Sequence, residues 1–205
     1  PSELQHDWTY EQSEWLAPSK DRDFVRLRNS EAANATSGQS PELVTRATFI
    51  GEPDVMLNVT VDPVRRSFVG WAFRAVGRES GQADLVAAGA DVRSKEQGGV
   101  DLQLTVDGQA RSEAQVLSGP TFDFGGRIEG GAAHVVFGPA KQDAATIVSA
   151  VPETVARRLH DRSHPEAIRI VLRAAGPDVV IRRITIKAQP DPRWLRAELS
   201  RLLAE

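Results

Sequence analysis

The stretch Glu166 to Ala188, EAIRIVLRAAGPDVVIRRITIKA, places two runs of β-branched residues on either side of one turn. In the first run Ile168, Ile170 and Leu172 alternate with Arg169, Val171 and Arg173. A period of two buries the first set and turns most of the second toward water. Ala174-Ala175-Gly176-Pro177-Asp178 supplies turn chemistry, since Gly tolerates positive φ, Pro fixes φ and Asp bonds nearby backbone. The spacing predicts a β-hairpin. In the second run Val180, Ile184 and Ile186 share one parity, but Arg182 falls on that parity and Arg183 on the other. An unpaired guanidinium inside a sheet core is prohibitive, so a β-bulge is expected here, with a buried carboxylate partner or a groove-facing basic side chain as the alternatives.

Outward from this stretch, strand signals dominate. Phe24 to Arg28, Leu43 to Ile50 and Val55 to Val61 read as strands, with a turn at Gly51-Glu52-Pro53-Asp54. Ser67 to Val76 is apolar on both parities and fits a central strand covered on both faces, or one with core on one face and a groove lined by the other. Asp84 to Arg93 is ambiguous between strand and helix. Val100 to Val106 alternates cleanly and runs into Asp107-Gly108, the strongest short hairpin signal in the chain. Thr121 to Gly131 and Ala132 to Phe137 are further strands, and the glycine pairs at 98-99, 125-126 and 130-131 read as turn glycines. Pro152 to Arg162 is a short helix, and Asp191-Pro192 opens a second with Leu195, Leu199 and Leu202 on one stripe. Asn29 to Pro41 is polar and Gly-containing, a loop.

Nine to eleven short strands, one inserted helix and a terminal helix make an all-β chain. Half-buried antiparallel strands close a core against a second sheet, so a jelly-roll β-sandwich is expected, concanavalin-like or galactose-binding-like. The sandwich spans residues 1–190, and residues 191–205 form a C-terminal helix or a linker to an absent region. The leucine stripe is too short to stand alone and calls for cover by the sandwich or by a protein partner.

The chain has 205 residues, 40% hydrophobic and 26% charged, with net charge −3. A chain of this size buries about 70% of its unfolded surface and needs no covalent staple. It has no cysteine, which removes disulfides, thiolate chemistry and Cys-ligated zinc. The near-neutral balance offers no basic footprint for nucleic acid, and no apolar run reaches the ~20 residues of a membrane span. The start at Pro1 reads as a processed protein or an excised fragment.

The strand Asp178 to Lys187 resembles the closing strand of concanavalin-like domains in the 3-keto-disaccharide hydrolase family, "v-x-F-R-N-I-x-I". Arg182, Ile184 and Ile186 match it, while Ile181 stands for its Phe and Arg183 for its Asn. Trp8 to Trp15 is similar to the family's opening strand without its glycine. Phe68 to Arg74 is similar to its mid-chain apolar strand, although the "N-S-G-I-x-x-R" signature is absent. The resemblance implies the fold and a glycoside-active relative; no catalytic residue carries over.

Candidate chemistry is sparse. His160 and His164 have helical spacing but lack a third ligand, so neither a metal nor another cofactor is expected. Asp123 and Glu129 flank glycines and could pair as acid and base on a glycoside, or simply face water. Sugar rings lie well against Trp and Tyr while their hydroxyls meet charged and amide groups. Trp8, Tyr10, Trp71, Arg74, Arg182 and Arg183 are therefore the candidate ligand-binding residues, the competing reading putting Trp71 in the core. The function these features favour is a non-catalytic, lectin-like carbohydrate-binding or cell-envelope-associated module. Its partner would be a polysaccharide or glycan and its place extracytoplasmic, periplasmic or secreted. An enzyme of the hydrolase type and a structural or protein-interaction domain are the alternatives.

Overall fold

A computed structural model describes residues 8–11, 15–16, 25–27, 42–62, 64–76, 84–93, 99–139, 145–161, 163–176 and 179–204. The loop expected over residues 29–41 lies outside them, as do the side chains of Trp8, Tyr10 and Trp15. In chain order the strands are β1 (Trp8–Glu11), β2 (Trp15–Leu16), β3 (Val25–Leu27), β4 (Glu42–Thr45), β5 (Phe49–Thr60), β6 (Ser67–Ala75) and β7 (Val86–Val92). There follow β8 (Gly99–Val106), β9 (Gln109–Val116), β10 (Thr121–Glu129), β11 (Ala132–Gly138), β12 (Ala145–Ala150), β13 (Ile168–Ala175) and β14 (Val180–Pro190). Helix α1 (Glu153–His160) precedes β13, and α2 (Pro192–Ala204) follows β14.

Pairing is antiparallel throughout the described strands and separates into two sheets. The first runs β12-β11-β10-β5-β14-β3-β2 and the second β9-β8-β7-β6-β13-β4-β1, with Ile168 opposite Phe49 as the one pair joining them. The inner faces meet in one core. Trp71 and Phe73 on β6 have ring centroids 4.9 Å apart, and Leu172, Ile170 and Leu43 pack with them against Leu57, Val59, Phe122 and Phe124 of the other sheet. A Cβ on Gly126 would stand 1.9 Å from Cζ2 of Trp71, so this mid-strand glycine is where the indole crosses the sandwich. It was expected in a turn; close approach of a large ring is what requires it.

The hairpin expected from residues 166–188 does not form. β13 pairs with β4 and β6 in the second sheet, and β14 with β3 and β5 in the first, so the connection crosses from one sheet to the other. Alternation correctly marks the faces, with Ile168, Ile170 and Leu172 in the core, but both strands bury toward each other across the core instead of side by side. The bulge is present: the register shifts between Ile181 and Arg183, which lets Ile181, Ile184 and Ile186 stand opposite Val59, Leu57 and Val55 while Arg182 projects outward.

Two further expectations are corrected. Residues 43–50 are not one strand, because β4 belongs to the second sheet and β5 to the first. The turn at 51–54 is absent, since β5 runs through it with Gly51 at φ 80°. The ambiguous segment at 84–93 contains a strand, β7. Asp107 (φ 48°) and Gly108 (φ 80°) form the expected two-residue turn between β8 and β9. Helix α1 buries Val155 and Leu159, whereas α2 buries none of its residues. Leu195, Leu199 and Leu202 are 39%, 58% and 53% exposed, so the stripe has no cover among the described residues.

Candidate functional site

The outer face of the second sheet departs from what alternation alone would give. The parity opposite Trp71 and Phe73 should meet water, yet Ala72, Val171 and Val44 are buried there as a separate small cluster. Beside them Arg74 is 4% exposed. Its Nη1 and Nη2 donate to the two carboxylate oxygens of Glu42 at 2.7 and 2.8 Å, and its Nε donates to Asp84 at 2.8 Å. Arg173, opposite Gly70 on β13, donates through Nε to Glu42 at 2.8 Å and through Nη2 to Asp84 at 2.6 Å. Two guanidiniums and two carboxylates thus close a neutral square in which each cation holds both anions.

The square acts on the protonation of Glu42 and Arg74. Burial pushes the Glu42 carboxyl up, but hydrogen bonds from Arg74 and the charge and hydrogen bond of Arg173 outweigh it, leaving Glu42 below the ordinary carboxylate range. Burial likewise works against the charge of Arg74, and the hydrogen bonds and charges of Glu42 and Asp84 reverse it, raising the guanidinium above its usual value. Glu42 held ionised this way is a poor proton donor, and the square anchors β4, β6 and β13 to one another.

Next to the square the face becomes more open. Phe68 shares the outward parity with Gly70, Ala72 and Arg74, and its half-buried ring lies over two glycines facing each other across β6 and β7. A Cβ on Gly89 would meet its Cε2 at 2.5 Å, and one on Gly70 its Cζ at 3.0 Å, so any larger residue at either position would lift the ring. The same row continues from Gly89 to Gln103 and Ser112, both exposed, and the neighbouring row from Phe68 to Asp91 and Asp101. Asp91 accepts two bonds from Arg66, 3.1 Å from Nε and 2.7 Å from Nη2, and Asp101 is ion-paired with Arg93. The result is an aromatic platform bordered by an amide, a hydroxyl and two polarised carboxylate–guanidinium pairs.

The sequence-derived candidates are not brought together. Trp71 is in the core with 0% exposure, and its indole Nε1 has no partner among the described residues. Arg74 is on the second sheet's outer face, fully committed to the square. Arg182 and Arg183 are exposed on the first sheet, on the opposite side of the molecule; Nε of Arg182 donates to Thr60 at 2.7 Å, and Arg183 stands opposite Asn58. Trp8 and Tyr10 stand opposite Thr45 and Leu43, while Thr9 and Glu11 are opposite Val44 and Glu42 and so take the register positions of the square's face.

Asp123 and Glu129 are both on β10. Asp123 is buried and accepts a 2.7 Å bond from Asn58, while Glu129 is exposed and paired with Arg127. His160 stands 3.4 Å from Glu52, and His164 lines a cleft of about 500 Å3 with Val76, Arg158, Glu166 and Arg193. The charges there pair locally, Arg158 with Glu166 and Arg193 with Asp191. Phe68, Glu42, Asp84, Arg173 and Gln103 were missed by sequence reading. The available signal was parity: Phe68 and Arg74 both oppose the Trp71 side, and Gly70 and Gly89 interrupt otherwise apolar strands.

No known sequence family matches the chain, and no curated protein is similar to it in sequence. Solved structures do share its fold. The marine PL7 alginate lyase of Zobellia galactanivorans superposes with a TM-score of 0.53 at 11% identity, covering 90% of this chain and 96% of its own. For the carbohydrate-binding module CBM66 of Bacillus subtilis the values are 0.52, 12%, 89% and 96%. For a Bacillus subtilis protein of unknown function with a galectin-like fold they are 0.54, 12%, 92% and 91%. At these identities the likeness concerns the fold alone, a jelly-roll, galectin-like β-sandwich. The 3-keto-disaccharide hydrolase resemblance has no support from the sequence comparisons.

Proposed function

We propose that this domain is a non-catalytic glycan-binding module whose ligand lies on the outer face of the second sheet over Phe68. The observation that carries the reading is the phenyl ring laid across Gly70 and Gly89 beside Gln103, Asp91 and Asp101. A pyranose ring offers C–H faces to such a platform and hydroxyls to its polar border. Proteins of this fold include a carbohydrate-binding module and an alginate lyase, which makes a polysaccharide the first ligand class to examine. The reading carries with it a place of action outside the cytoplasm, at or beyond the cell envelope.

Polysaccharide arrays followed by calorimetry test it. Wild-type protein is expected to bind at least one glycan, and Phe68→Ala to weaken that binding at least about tenfold, a change of roughly 1.4 kcal/mol, while remaining folded. Absence of binding across neutral and acidic polysaccharides, or binding undiminished by Phe68→Ala, ends the reading. Release of sugar from a keto-glycoside by the wild-type protein would replace it with the enzyme alternative.

A further inference from the structure

We propose that the free edge of β9 is the dyad contact of a homodimer, in which Gln109–Val116 pairs antiparallel with the same strand of a second copy. Among the described residues β9 is the outermost strand of the second sheet, and all its positions except Gln115 are exposed. An unpaired edge of eight residues is a template for another strand unless its side chains forbid it.

The backbone is in phase for such a contact. Asp107 N–H donates to Leu85 at 3.1 Å and Arg93 N–H to Gly99 at 3.0 Å, so the odd-numbered residues of β8 bond to β7 and the even-numbered ones to β9. Through the register Val106–Gln109, Leu104–Arg111 and Leu102–Glu113, the odd-numbered residues of β9 use their N–H and C=O groups on β8. Ala110, Ser112 and Ala114 present theirs outward.

The side chains choose one register. The sequence from 109 to 115 is QARSEAQ, symmetric about Ser112 except that Arg111 and Glu113 have opposite charge. Placing Ser112 opposite Ser112 of the second copy makes that pair and Ala110–Ala114 the hydrogen-bonded pairs, as the free backbone groups require. It sets Arg111 opposite Glu113 twice, at the closer non-hydrogen-bonded positions, and Gln109 opposite Gln115 twice. Sliding by two residues in either direction sets Arg111 on Arg111 or Glu113 on Glu113, and a parallel in-register pairing does both. Charges on an edge strand ordinarily repel other chains. Here they are arranged to accept only a copy of themselves in one orientation, the self-complementarity that a two-fold contact demands. Arg111 is held at this rim by a 3.1 Å bond to the carbonyl of Val148. The contact would run the second sheets of both copies into one, independently of any ligand.

Sedimentation of the full chain from about 1 µM to about 1 mM at low salt reads the equilibrium directly. Wild type is expected to dimerise. Arg111→Glu and Glu113→Arg each replace two attractions with two repulsions and are expected to weaken the dimer roughly ten- to a hundredfold. An equimolar mixture of the two variants restores both pairs and should dimerise like wild type. Ser112→Pro removes an outward N–H that β8 does not use, so it should be monomeric, with the melting temperature that wild type shows at concentrations where it too is monomeric. A wild type that stays monomeric overturns the proposal, as does undiminished dimerisation of Ser112→Pro or of either charge variant, or a mixture that fails to recover.

Discussion

The two outer faces carry the same kinds of residue to different ends. On the first sheet Arg182, Arg183, Lys187–Asp54 and Arg127–Glu129 lie in water, with Lys187 and Glu129 side chains 78% and 63% exposed. On the second, the Arg74, Glu42 and Asp84 side chains are at most 10% exposed and bound to one another. Exposed pairs are screened and contribute about 0 to 1 kcal/mol each. In the dry square each ion has given up hydration, so its partners determine whether the sheet tolerates it at all. A bare list of ion pairs would credit an exposed pair and a pair within the square on equal terms. Burial separates them.

Four substitutions would break or sharpen this contrast. Arg74→Met removes one of the two guanidiniums that Glu42 and Asp84 share in the square. It is expected to lower unfolding free energy by about 3–5 kcal/mol in urea titration; a loss under about 1 kcal/mol would put the square on a par with the exposed pairs.

A smaller effect concerns pH. Glu42 has a folded pKa below its ordinary value of 4.5, so it contributes stability that is present above about pH 4.5 and lost as the pH falls through the folded value. Wild-type stability should therefore decline on acidification below that point, and Glu42→Gln, less stable at neutral pH, should decline less. Parallel pH profiles for the two proteins would remove Glu42 from the account.

Smallest of all, Arg182→Met and Arg183→Met should each stay within about 0.5 kcal/mol of wild type, because the bulge has already turned both to solvent. A severe loss at either position would mean that the bulge costs the strand more than its register shift shows.

How far the molecule was legible depended on what each signal reports. Period-two alternation reports which face is buried, and it located Val55–Val59, Val100–Val106 and Ile168–Leu172 correctly. It is silent where both faces are wet, and β9, exposed on both parities, was signalled only by the Asp107-Gly108 turn that precedes it. It is equally silent about neighbours: β13 and β14 looked like a hairpin and are in different sheets. The site suffered most. Trp71 and Arg74 were chosen for their chemistry, but one crosses the core over Gly126 and the other is tied into the square, while Phe68, between them in character, has the outward ring.

The sequence by itself determined the faces of most strands, the Asp107-Gly108 turn and the bulge at Arg182, because these depend on residues within a few positions of one another. Tertiary structure alone decided that β4 and β5 part into opposite sheets, that Arg74 meets acids 32 and 10 residues away, and that QARSEAQ lies on an open edge. Side-chain period and turn preference are local properties of the backbone, whereas burial of a charge and exposure of an edge are set by which strands arrive beside it.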